Sequence, residues 1–129
     1  MNKEFIPYEQ ALELKELGFD EKCFAAMDMY SNIDYGSEMY DWIKNGETVQ
    51  STWAVLPLYQ QAFRWFREYY GLNGYVGGKS TRHYWQIESF IEEDGALNQS
   101  PYWHYTDAQL DCLKKLIEIA KNDTDRRNI

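Results

Sequence analysis

The sequence predicts an α+β fold: one domain, residues 1–129, with an antiparallel sheet of about four strands and about three helices packed largely on one face. Three observations predict it. Pro57 to Gly71 reads as an amphipathic helix with a wide aromatic stripe, and so many rings need a surface to lie on. Arg82 to Ile91 alternates as a strand does, with His83, Trp85, Ile87, Ser89 and Ile91 on one face and Arg82, Tyr84, Gln86 and Glu88 on the other. The order of elements is helix, strand, strand, helix, hairpin, helix, without the regular strand–helix alternation of a doubly wound sheet.

The first helix spans Pro7 to Leu17, with Tyr8, Ala11, Leu12, Leu14 and Leu17 on its apolar side. Gly18-Phe19 is its stop signal: a left-handed glycine, then a hydrophobe able to fold back on Leu14. Cys23 to Tyr30 reads as a strand with Cys23, Ala25, Met27 and Met29 on one face. Ser31 to Gly46 is rich in turn formers and reads as a long loop, a place where function often resides. Thr48 to Leu56 is a second strand, running into the central helix. There Pro57 suits the first helical position. Leu58, Ala62, Phe66 and Tyr69 form the stripe, which Tyr59, Phe63 and Tyr70 widen, while Gln60, Arg64, Arg67 and Glu68 face away. Gly74 to Ile91 makes a hairpin, and Glu92 to Pro101 an acidic loop. Thr106 and Gln109 form a capping box for a last helix burying Leu110, Leu113, Leu116, Ile117 and Ala120. Residues 122–129 read as a frayed polar tail.

The net charge is −8, and its distribution is uneven. Residues 1–50 hold eleven acids and four bases, residues 51–90 two acids and four bases, and residues 91–129 eight acids and five bases. Such a balance argues against direct nucleic-acid binding, which needs a basic face. No apolar run reaches the length of a membrane span, and Met1-Asn2-Lys3-Glu4 lacks a signal peptide's apolar region, so the expected address is the cytoplasm. In that compartment Cys23 and Cys112 read as reduced, buried thiols.

Few residues suggest chemistry. Gly74-Tyr75-Val76-Gly77-Gly78-Lys79-Ser80-Thr81 resembles the end of a phosphate-binding loop, but Asn73 stands where the first glycine is required and a strand follows instead of a helix. His83, His104, Cys23 and Cys112 lack the short pair spacing of structural zinc sites. No catalytic residue, metal site or cofactor is expected, and the chain reads as no enzyme. Two binding surfaces remain. Arg64, Arg67 and Arg82, with Lys79, can be imagined converging beside Tyr84 and Trp85 to hold a nucleotide or other anion. Alternatively Tyr35, Tyr40, Asp41, Trp42, Glu92, Glu93 and Asp94, aromatic and acidic, would contact a basic protein surface.

The segments Pro7 to Glu21 with Cys23-Phe24, Pro57 to Glu68, and Leu113 to Glu118 together resemble a family of small uncharacterised proteins encoded by phages and mobile elements of gut anaerobic bacteria. The resemblance covers three helices and parts of two strands and transfers no catalytic residue. It implies a phage or prophage setting, in the cytoplasm of an infected or lysogenic host. The expected function is therefore non-enzymatic binding of a host protein with a basic surface, a defence component being the candidate. Sequestering a small anion is the alternative.

Overall fold

The computed structural model describes residues 4–35, 53–79, 82–89, 97–102 and 104–127. The chain divides into two compact units, Met1–Leu58 and Tyr59–Ile129.

In the first unit, helix α1 covers Tyr8–Glu16 and buries Ala11 and Leu14. Its end follows the sequence signal closely. Gly18 is left-handed at φ 97°, its N–H donates to the Lys15 carbonyl, and the Phe19 N–H donates to the Leu14 carbonyl at 3.0 Å. Those two bonds satisfy carbonyls the helix would otherwise leave open, and Phe19 and Leu14 are both fully buried. Strands β1 (Ala25–Met27), β2 (Ile33–Tyr35) and β3 (Ala54–Leu56) form an antiparallel sheet in the order β2-β1-β3. Helix α1 packs on β3, and the Lys15 ammonium donates to the Trp53 carbonyl at 2.8 Å. The Ile6 N–H donates to the Pro57 carbonyl at 3.0 Å, and Phe5 pairs with Leu58.

Three expectations change here. Ala25, Ala26 and Met27 are all buried, because β1 is the central strand and is covered on both faces; the alternating face of Cys23, Ala25, Met27 and Met29 does not exist. Met29 instead lies in a turn and is exposed. The start of the expected 31–46 loop is strand β2; residues 36–46, and the early part of the expected 48–56 strand, lie outside the described residues.

In the second unit, helix α2 covers Tyr59–Tyr70 and buries Tyr59, Ala62, Phe63, Trp65 and Phe66. Strands β4 (Leu72–Lys79), β5 (Arg82–Ser89) and β6 (Leu97–Tyr102) form a second antiparallel sheet in that order. Helix α3 covers Tyr105–Arg127 and packs on β4 and β5, while α2 packs on β4 and on α3. Trp85 and Ile87 of β5 and Ala108, Cys112, Leu113, Leu116, Ile117 and Ala120 of α3 are buried, as the periodicity of both segments requires. A fully buried side chain of the size of Leu, Ile or Phe contributes roughly 1.5–3 kcal/mol, so this apolar set is the main term holding the unit together.

The α+β class, antiparallel pairing and three helices agree with the sequence. The described strands, however, number six in two sheets instead of about four in one. The extra strand of the second sheet is β6, where an acidic loop was expected. His83 pairs with Tyr102 and Trp85 with Gln99, so one residue of β5, Tyr84, lies opposite two of β6, Ser100 and Pro101, across a bulge. That irregularity and the edge position accommodate Pro101. Tyr69, expected in the stripe, is 63% exposed, and Trp65, which the sequence reading placed on neither face, is buried. Trp65 packs edge-on against Phe66 and Tyr70, with ring centroids 5.1 and 5.5 Å away. Helix α3 begins at Tyr105, which puts Thr106 inside the first turn and not at the cap, and it runs beyond the expected end.

Candidate functional site

The best-built surface feature is the turn joining β1 to β2, residues Asp28-Met29-Tyr30-Ser31-Asn32. The Asp28 N–H donates to the Asn32 carbonyl, and the Ser31 N–H to the Asp28 carbonyl, both at 3.1 Å. This leaves a three-residue loop, a common hairpin connection, whose last position must be left-handed. Ser31 takes it, at φ 66°, although serine is not the residue that favours it.

What holds the loop in that shape is the Asp28 carboxylate, itself only 8% exposed. One oxygen accepts from the Tyr30 and Asn32 backbone N–H groups, both at 2.9 Å; the other accepts from the Asn32 side-chain amide at 3.0 Å. Burial pushes this carboxyl upward, but the bonds from Asn32 and Tyr30 outweigh it and hold the group below its usual value. The carboxylate is therefore ionised at neutral pH and fixed as the turn's internal brace.

The brace carries two apolar side chains into solvent. Tyr30 is 77% exposed and Met29 58%. At the far end of the same hairpin Tyr35 pairs across from Ala25. It is 52% exposed, yet its ring rests against Phe5 with centroids 6.4 Å apart. Alternation along β2 sets Ile33 on the side of Tyr35 and exposed Asp34 on the other. Of the partner-binding residues expected from sequence, Tyr35 is thus on this hairpin. Tyr40, Asp41, Trp42, Glu92, Glu93 and Asp94 lie outside the described residues. Sequence reasoning missed Met29 and Tyr30, for which Asp28 and Asn32 four residues apart were the available signal.

In the expected anion pocket, Trp85 does not stand beside Arg82. Arg64 and Arg67 are exposed on α2, and Arg82 is exposed at the start of β5. Trp85 stands on the opposite face of β5 from Arg82 and is 7% exposed, against the core. Strand alternation keeps the two apart, so the indole cannot stack on a base while Arg82 holds its phosphate. On the outer face Tyr84 lies over Gly77, and the Tyr75 hydroxyl donates to Glu88 at 3.2 Å. The glycine- and lysine-containing stretch forms the β4–β5 hairpin, with Lys79 paired to Arg82. It opens no helix, as the sequence indicated.

Cys23 and Cys112 are free and buried. Burial pushes the Cys112 thiol up to about 12, against a smaller opposing effect of a backbone hydrogen bond from Tyr75. It carries no thiolate to act as a nucleophile at neutral pH. His83 packs edge-on against Tyr105 with centroids 5.7 Å apart. Among the described residues no group of three or more His, Cys, Asp or Glu is placed to hold a metal, and no helix is long and apolar enough to cross a membrane. Compared with models of known protein families, with curated proteins and with solved structures, the chain matches none.

Proposed function

We propose that this chain is a non-enzymatic binding protein that acts by covering a surface of another protein. The observation that carries the reading is the β1–β2 hairpin, which holds Met29, Tyr30 and Tyr35 in solvent on an ordered scaffold. Single exposed apolar residues are ordinary. Three on one short hairpin, two of them tyrosines, have the composition of an interface centre. The unit around them is acidic: residues 4–35 hold eight carboxylates against Lys15 and Lys22. A basic partner surface would be drawn to it, and complementary charge speeds encounter. The buried, protonated Cys112 thiol and the packed His83 support a non-catalytic role. In the phage setting that the sequence resemblance implies, the partner would be a host protein, a defence component being the candidate.

Affinity capture from bacterial lysate tests this. The intact chain should retain a defined protein that a Met29→Ser, Tyr30→Ser, Tyr35→Ser triple variant, equally folded by circular dichroism, does not. Identical capture profiles for the two would sink the reading.

A further inference from the structure

We infer that the Met29–Tyr30 tip is a preformed plug, which seats in a narrow apolar pocket rimmed by basic side chains on a partner protein. The inference rests on the binding reading above and specifies its partner. Met29 and Tyr30 are 58% and 77% exposed at the apex of a hairpin, so they project from the surface instead of lying in it. Against a flat surface an apex touches with few atoms and leaves both side chains wet. A pocket covers them on all sides and excludes water, which is where tyrosine contributes most. The shape is also set in advance. The Asp28 carboxylate accepts three hydrogen bonds from the two residues that follow the apex positions or belong to them, Tyr30 and Asn32, and Ser31 is already left-handed. Ordering a loop of this kind on binding opposes association, and here that cost falls on folding instead.

The charge of the rim follows from the surroundings. Asp34 and Asp20 are exposed in the same unit, whose described residues are strongly acidic in balance. Carbon-lined walls alone would take the plug, but positive groups at the mouth would be drawn to the acidic balance of this unit. An anionic lipid surface would repel it. Asp28 is a positioning residue in this account: its oxygens are spent on the turn and touch no partner.

The probe is heptakis(6-amino-6-deoxy)-β-cyclodextrin, a small apolar cavity with an ammonium rim, titrated into the intact 15N-labelled chain at low salt. Neutral β-cyclodextrin and anionic phosphatidylglycerol vesicles serve as comparisons. Amide shifts should centre on residues 28–32, and the aminated cavity should bind about tenfold more tightly than the neutral one, the difference fading in high salt. Tyr30→Ser should remove binding. Asp28→Ala should weaken it several-fold while leaving Tyr30 exposed, and Ser31→Gly, which keeps the left-handed position, should restore nothing when added to it. Should Asp28→Ala fail to fold, Asn32→Ala, which removes one of the three bonds, takes its place with a smaller loss expected. Shifts centred on Tyr69 or Tyr84, equal affinity for both cavities, full binding by Tyr30→Ser, or preference for the vesicles would each overturn the inference. A lysate partner still captured by Tyr30→Ser alone, but lost with the triple variant, would overturn the plug and leave the binding function standing.

Discussion

Gly74 of β4 lies directly beneath Leu116 of α3: a Cβ built on the glycine would stand 2.9 Å from Leu116 Cδ1 and 3.1 Å from the Cys112 sulfur. The absence of a side chain is what lets helix and sheet approach at this point. Gly74→Ala should therefore cost about 1–3 kcal/mol, the usual range for overpacking a filled core. Gly78→Ala should cost at least as much, because its φ is 143° and its Cβ would meet the Arg82 carbonyl oxygen at 2.2 Å. Gly77→Ala should be mild, since only the movable end of the exposed Tyr84 is in the way. Urea unfolding of the three variants checks the order, and a Gly74→Ala protein as stable as the parent would refute the close packing.

Helix α2 offers a second contrast. Phe66 is fully buried and Trp65 nearly so, whereas Tyr69 is mostly exposed. Truncating Phe66 or Trp65 to Ala should cost on the order of 3–5 kcal/mol. Tyr69→Ala should cost less than about 1 kcal/mol. A loss for Tyr69→Ala as large as that for Phe66→Ala would return Tyr69 to the stripe its sequence suggested.

Alkaline stability follows from two buried groups. Burial raises the Cys112 thiol from an ordinary 9.0 to about 12 and the Tyr59 phenol from 10.0 to about 12. Above pH 9 the unfolded chain loses these protons while the folded chain keeps them, so the unfolded state binds fewer and stability falls as pH rises. Their full contribution is present below about pH 9 and is lost through pH 12. Melting temperatures should be level from pH 7 to 8.5 and decline beyond. Cys112→Ala should flatten the first part of that decline, and the native thiol should resist disulfide reagents until the protein unfolds.

Nucleotides should not stabilise the protein. Arg82 and Trp85 leave β5 on opposite faces, so a phosphate held at one cannot bring its base to the other. A thermal-shift screen of nucleoside mono-, di- and triphosphates should leave the melting temperature unchanged. A rise that Arg82→Ala abolishes would reinstate an anion site.

Which parts the sequence revealed depends on how many residues carried each signal. The end of α1 was legible because Leu14, Gly18 and Phe19 each specify a different part of one motif. Strand β5 was legible because eight residues alternate without a break. Strands β1, β2 and β3 have three residues each, too few for a period, and full burial of β1 erases alternation altogether. Extending a false alternation through residue 29 hid Met29 in an imagined core. Strand β6 was obscured by Pro101, which argues against a strand unless edge and bulge are known beforehand. Of the site, Tyr35 was found as an aromatic beside turn formers. The apex was not, because its one local signal, Asp28 and Asn32 four residues apart, fell at the end of an expected strand that ran to Tyr30.

The proline and bulge in β6 have a further consequence, for how copies of this chain avoid one another. An edge strand offers open N–H and C=O groups to any strand that comes alongside, and growth by such pairing ends in aggregation. Pro101 has no N–H to offer, and the extra residue of β6 opposite the His83–Trp85 step bends its line. A second molecule therefore finds no straight ladder to extend on β6. The irregularity that made the strand hard to read from sequence also makes it a poor template for fibril growth.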